Sequence, residues 1–351
     1  MGLFRQLFGR REPLSKPAEA GPSLNSLLGG YRNTALLYVA ARLKIPDLLA
    51  AGPRSSRELS EILNANAPAL HRVLRGLVAL GLCSEMEDGY FQLLPLGEKL
   101  QSSTGGPEYS LAILNGEEYA AAWNDLLHSV MTGEASFDHV FGESPWQHRQ
   151  KNPELNERFN FWLEEGAAAA GLAISKAYDF SQQQTVADLG GGQGTLLAAI
   201  LQANASLQGV LFDQPHVISI ARRKLESAGL KPRCQLVEGS FFEPVPVEAD
   251  VCILKSILHD WDDEKCLLIL KNCRAVLKPG QPLLVVEKIM SERVKDQPSI
   301  IMADLQMLVV TGGRERTLDE YKKVFAAAGF ELKRTIPLST GHCLLETHRS
   351  E

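Results

Sequence analysis

The chain has 351 residues, of which 45% are apolar, and a formal net charge of −6 at neutral pH. That length fits two domains, or one with a substantial extension, and the apolar fraction is ample for a core. The acidic balance argues against a general nucleic-acid binder, and no apolar run reaches the roughly 18 residues needed to span a bilayer.

The chain begins with MGLFRQLFGRRE, which is short, basic and amphipathic. A myristoylation signal fails because Gln6 stands where Ser or Thr is required. No secretory apolar region follows. Residues 1–22, interrupted by Pro13, Pro17 and Pro22, read as a flexible tail.

Residues 23–105 read as helices ending in a small hairpin. Ser55 with Glu58 makes a capping box ahead of LSEIL. Asn66 caps a second helix with Pro68 in its first turn. Asp88-Gly89 marks a tight turn between two short strands. Helix, helix and β-wing together describe a winged helix. Its second helix offers only His71, Arg72 and Arg75 as polar contacts, while Leu70, Leu74 and Leu77 fill another face. A DNA-reading helix needs an exposed polar face, so a dimerisation or packing module is the better reading.

Residues 106–180 read as a helical connector. Met131, Phe137, Trp146, Phe159, Phe161 and Trp162 are candidate walls of an apolar pocket, joined by Met302 and Met307 further on. From 183 to 347 strand and helix alternate. Strands are expected at 185–188, 209–212, 233–237, 250–254 and 282–286, with helices at 194–203, 215–228 and 263–277. This pattern predicts an α/β fold whose parallel strand tips gather at one edge, where such proteins bind ligands. A helix over 317–328 leads to FELKRTI and HCLLETH, a terminal antiparallel hairpin. The six cysteines form no C-x-x-C pair and read as reduced, cytosolic and structural. No metal-ligand cluster stands out.

Chemistry concentrates at the strand tips. The first strand, carrying Asp188, runs into Gly190, Gly191, Gly192, Gln193 and Gly194. Thr195 occupies the place of the third dinucleotide glycine, and the lysine of a phosphate-binding loop is missing. The turn therefore suits a nucleoside without pyrophosphate. Asp213 ends the second strand about 20 residues later, where a carboxylate accepts hydrogen bonds from ribose hydroxyls. Its competing role is to cap the helix starting at Pro215. His259, in LHDWDD, follows the fourth strand and faces the glycine turn across the sheet edge. Asp260 reads as a cap for the turn that follows.

These residues resemble the class I S-adenosylmethionine-dependent methyltransferases. HDWDDEKC and GGRERT narrow the resemblance to small-molecule O-methyltransferases of the caffeic acid and acetylserotonin type, over nearly the whole chain. The resemblance implies a Rossmann-like methyltransferase sheet (181–351) and an N-terminal winged-helix dimerisation domain. It also implies a homodimer, S-adenosyl-L-methionine as cofactor and a small-molecule hydroxyl as substrate. Cofactor-binding candidates are Asp188, Gly190, Gly192, Gly194, Asp213, Gln214, Gly239, Ser240, Phe241 and Lys255. Relatives usually carry Asp at the position of Ser240, to hold the adenine amine, and often Ser or Trp at that of Ala167. The resemblance makes His259 the general base and Glu287 and Glu315 its partners, with no metal. A free phenol and a free histidine differ by about 3.5 pKa units, or about 5 kcal/mol, and nearby carboxylates would narrow that gap. C- or N-methylation, a non-methylating decarboxylation or hydroxylation, and a cofactor-sensing winged-helix regulator are the alternatives.

Overall fold

The computed structural model describes residues 23–102, 106–291, 293 and 297–351. The expected flexible tail, 1–22, lies outside the described residues. Contacts divide the chain into two compact units, with the boundary between Glu98 and Lys99.

Among the described residues of the first unit, three helices precede strand β1 (Arg54–Ser55). Helix Ser56–Leu63 starts at the expected box. Ser55 Oγ accepts from the Glu58 N–H, and the Glu58 carboxylate accepts from the Ser55 N–H at 2.8 Å. Asn66 accepts from the Ala69 N–H and opens helix Ala67–Ala79. Leu70, Leu74 and Leu77 bury one face of that helix. Strands β2 (Cys83–Glu85) and β3 (Tyr90–Leu93) pair antiparallel, and β1 takes the other edge of β3. This is the anticipated winged-helix layout.

In the second unit, seven helical segments run from Pro107 to Ala177, one of them a π turn over Asn115–Tyr119. The sheet follows: β4 (Thr185–Leu189), β5 (Gln208–Asp213), β6 (Cys234–Glu238), β7 (Val251–Lys255), β8 (Pro282–Glu287), β9 (Phe330–Pro337) and β10 (Cys343–Arg349). Its order is β6-β5-β4-β7-β8-β10-β9. The first five strands in that order are parallel, as strands joined by helices must be, and β10 runs antiparallel to both β8 and β9. Alternate side chains leave the strands for opposite layers. Val186, Leu211, Ile253 and Leu284 pack on one side with helices Pro153–Ala177 and Thr195–Ala203. Ala187, Phe212, Cys252 and Val285 pack on the other with helices Asp263–Val276 and Leu318–Ala327. Because β5 and β7 flank β4, the connections diverge there and leave a crevice at the carboxyl ends.

Several predicted pocket walls separate in the fold. Phe137 is completely buried, packing against Phe141 and His148, whereas Met131 and Met302 are exposed. Among the described residues no helix is long and apolar enough to cross a membrane.

The opposite edge of the sheet is tied by Asp250, whose carboxylate accepts from the Gln184 and Thr185 N–H groups at 2.8 and 2.9 Å. Asp250→Ala is expected to cost about 1–2 kcal/mol, near the worth of hydrogen bonds to a partly solvated charge. Urea unfolding should show a lower midpoint at unchanged m value.

Candidate active site

At the end of β4 the chain turns through Gly190 (φ 75°) and Gly192 (φ 60°), conformations that a side chain would strain. A Cβ on Gly190 would sit 2.7 Å from the Ile257 side chain, whereas one on Gly192 would meet nothing within 4 Å. The turn is pinned below and open above. Gly190 N–H donates to the Phe212 carbonyl, and Gly192 N–H donates to Asp213 Oδ2 at 2.8 Å. Gly194 (φ 80°) passes the chain into helix Thr195–Ala203.

Asp213 Oδ1 accepts from the Gln214 N–H at 2.7 Å. The carboxylate therefore binds the glycine turn with one oxygen and its neighbour's N–H with the other; it does not cap the helix at Pro215, whose N-cap is Gln214 without a side-chain cap bond. Burial pushes its pKa up to about 6, against the lowering effect of those two hydrogen bonds. Asp188 is 2% exposed and its Oδ2 has no hydrogen-bond partner. Burial and then the Asp213 charge raise its pKa to about 7, while Lys255 acts the other way. Phe241 reaches the same turn, its ring 3.3 Å from where a Gly190 Cβ would be. Gly239 N–H donates to the Asp213 carbonyl, and Ser240 Oγ accepts from the Phe242 N–H. Lys255 Nζ lies 3.1 Å from Ser256 Oγ.

The crevice thus combines an open glycine turn, an orphaned buried carboxylate oxygen, a second acid and an aromatic ring. A cationic nucleoside fits this donor set.

Across the edge, β7 ends at Lys255 and the backbone enters a left-handed conformation at Ser256 (φ 53°), rare for a residue with a side chain. That bend aims two N–H groups, of Ile257 and Leu258, at Glu287 Oε1 on β8 at 3.0 and 2.8 Å. The turn Leu258–Asp260 then presents His259. Its Nδ1 lies 3.2 Å from Glu315 Oε1 and 3.6 Å from Glu287 Oε2, and its Nε2 lies 3.8 Å from Asp260 Oδ1. Glu287 Oε2 and Glu315 Oε2 are buried without another partner. Burial alone would lower the His259 pKa. Glu287, Asp260 and Glu315 outweigh it and hold the imidazole up at about 10. Burial, partly offset by His259, raises the pKa of Glu287.

Asp260 is not the cap: Asp262 accepts from the Lys265 N–H at 2.8 Å and opens helix Asp263–Val276. Asp260 instead turns its carboxyl toward His259, and burial raises its pKa to about 6. The linear pattern HDWDD holds three acids and cannot say which one caps. The sequence shows no metal-ligand spacing, and the fold brings ligand atoms of His259, Glu287 and Glu315 within 4.8 Å of one another, as it does those of a second group.

The loop carrying Glu315 is fastened by residues the sequence reading missed. Arg316 is completely buried and donates to the Leu258 and Trp261 carbonyls, both at 2.8 Å, and to Asp263. Arg314 N–H donates to the His259 carbonyl, and Glu315 N–H to Asp304 Oδ1. Arg149 is also buried, in a bidentate pair with Glu118 from the π turn, and its charge opposes the rise in the Asp260 pKa. Only the charged repeat in GGRERT hinted at the arginine clamp.

Fold and crevice together define a class I methyltransferase. The O-methyltransferase dimerisation domain matches residues 25–103 and the O-methyltransferase domain matches residues 123–331. The chain belongs to this family of S-adenosylmethionine-dependent O-methyltransferases. It is 43% identical to a phenazine O-methyltransferase of Lysobacter antibioticus, over 92% of this chain and 94% of that one. The solved structure of a mitomycin 7-O-methyltransferase superposes with a TM-score of 0.89 at 35% identity, covering 93% of this chain and 96% of that one. An O-methyltransferase from neocarzinostatin biosynthesis, solved with S-adenosylmethionine and 2-hydroxy-5-methyl naphthoic acid, gives 0.85 at 31%, covering 94% and all of the two chains. Relatives with other chemistry exist: an aclacinomycin 10-hydroxylase of Streptomyces purpurascens is 33% identical over 92% of this chain and 87% of its own.

A Cβ on Gly313 would lie 2.1 Å from the His259 carbonyl oxygen and 2.5 Å from the Asp260 carbonyl carbon. Since these are backbone atoms, Gly313→Ala must push the loop outward and separate Glu315 from His259. Methyl transfer is expected to fall by about 10²-fold, the usual scale for a misplacement near 1 Å, with cofactor affinity retained in calorimetry.

Proposed function

We propose that this enzyme methylates a hydroxyl of an aromatic or polyketide-like small molecule, with His259 as general base. The observation that carries this reading is the pairing of His259 Nδ1 with Glu315 and Glu287. With Nδ1–H held by carboxylates, Nε2 carries the free lone pair and can take the hydroxyl proton. The carboxylates then stabilise the imidazolium that forms. S-adenosylmethionine supplies the electrophilic methyl group on a sulfonium. Asp188, the turn of Gly190, Gly192 and Gly194, Asp213, Gln214, Gly239, Ser240, Phe241 and Lys255 are proposed to bind and orient the cofactor. Ser240 Oγ accepts from the Phe242 N–H and has no carboxylate to hold the adenine amine, so Phe241 is proposed as the main adenine contact.

Residues 23–105 would serve as a homodimerisation module, 106–180 as a connector on the substrate side, and 181–351 as the cofactor domain. Six free thiols suit a reducing, cytoplasmic setting. The intact histidine and its acids favour proton abstraction over a hydroxylase reaction, and Trp146 and Phe159, in edge contact, suit a flat ring.

His259→Ala is expected to lower kcat by about 10²–10⁴-fold, the range for losing a general base, while labelled cofactor still binds. Wild-type activity in that variant would remove the base. Because the His259 pKa is raised, the neutral form is scarce at low pH, and kcat/KM should climb with pH well above the ordinary histidine value. Glu287→Gln keeps the backbone acceptor but removes a charge that raises this pKa, so the climb should move to lower pH while the maximal rate falls. A bound sulfonium disfavours imidazolium, so cofactor affinity should increase with pH in the wild type, and His259→Ala should keep the part of that rise that Asp188 and Asp213 give near pH 6–7 and lose the part at higher pH.

A further inference from the structure

Two short helices, Leu126–Thr132 and Ser136–Phe141, bring together side chains that the proposed reaction does not use. Asp125 precedes the first helix, His128 lies in its opening turn and His139 sits on the second. One ligand atom from each lies within 4.8 Å of the other two. His139 Nδ1 is 2.7 Å from Asp125 Oδ2. The two imidazoles stack with centroids 4.0 Å apart and planes 4° from parallel. Glu134, between the helices, holds its Oε2 3.6 Å from His128 Nε2. That nitrogen is buried and has no hydrogen-bond partner.

We propose that Asp125, His128 and His139 form a site for a zinc-type divalent cation, with Glu134 as the fourth donor. Two imidazoles and two carboxylates suit zinc, whereas magnesium and calcium prefer oxygen donors alone. Zinc holds such atoms at about 2.0–2.2 Å, so tetrahedral neighbours lie ~3.4 Å apart. The atoms of Asp125, His128 and His139 reach that spacing by side-chain rotation that unstacks the two imidazoles and opens the short Asp125–His139 pair slightly, with Glu134 turning in beside His128. Asp125 at the N-cap and His128 in the first turn are three residues apart, at one end of the same helix. His139 comes from the next helix, so an ion would clip the two helices together and satisfy the orphaned nitrogen. His139 and Glu134 are 57% and 77% exposed, which leaves an entry path. The donors are separated by two, five and four residues, a spacing without a familiar motif, which hid them in the sequence. The site is independent of the reading of His259.

The test is zinc titration of the chelator-stripped full-length protein against a chromophoric competitor, with Tm followed in parallel. Since His259, Glu287 and Glu315 form another donor group, His259→Ala is titrated beside the wild type. Wild type and His259→Ala are expected to bind one equivalent at these helices and to gain Tm on adding zinc. His139→Ala and His128→Gln should bind that equivalent at least about tenfold more weakly, since even outer-shell losses cost that much. Neither should gain Tm with zinc, and magnesium should do nothing in any variant. The exposed position of His139 makes its alanine variant safe for folding. The proposal is overturned if the wild type binds no zinc, if His139→Ala binds it as tightly, or if only His259→Ala loses it.

Discussion

The arrangement of the crevice depends on one buried carboxylate. Glu287 ends β8 with no exposure to solvent, yet it must find partners because an isolated buried charge is very costly. It finds them in the chain leaving β7. One oxygen takes two backbone N–H groups, and the other faces the His259 ring. The left-handed bend at Ser256 is what points those amides at it. Local strain, buried acid and histidine orientation are thus one construction. Its parts come from two neighbouring strands that the sheet holds in fixed register.

A second layer holds the first. The loop from Gly312 to Arg316 lies against the backbone of His259 and Asp260 so closely that Gly313 has no room for a side chain. Arg316 donates to two carbonyl groups of the histidine turn, which among the described residues otherwise have only Cys266 and, for Leu258, the Trp261 N–H as donors. Glu315 therefore reaches His259 because the backbone under both is bound together. In the proposed chemistry this rigidity fixes which ring nitrogen carries the proton. The carboxylates also raise the imidazole pKa toward that of a phenol, the gap that the unassisted pair could not bridge.

At the other end of the crevice the acids work differently. Asp213 uses its oxygens on the Gly192 and Gln214 N–H groups, so it shapes the glycine turn. Asp188 keeps one oxygen unpaired in a buried place. Its raised pKa follows first from that burial and then from the Asp213 charge, with Lys255 acting the other way. A cation in this crevice would relieve both acids, in keeping with a sulfonium cofactor.

Much of this was legible in the residues themselves. Alternating apolar strands, glycine punctuation and caps such as Ser55 and Asn66 act over a few neighbours, so local chemistry determined them. The strand tips and the place of His259 beyond the fourth strand followed from the same logic, whereas Glu287 and Glu315 were named as its partners only through the family resemblance. Tertiary structure alone decided which acid did what. Asp260, Asp262 and Asp263 are near-equivalent in the sequence, yet the first faces the histidine, the second caps a helix and the third grips Arg316. Asp125, His128 and His139 met only because two short helices fold back on each other. Such roles depend on burial and on partners far away along the chain, and only packing creates both.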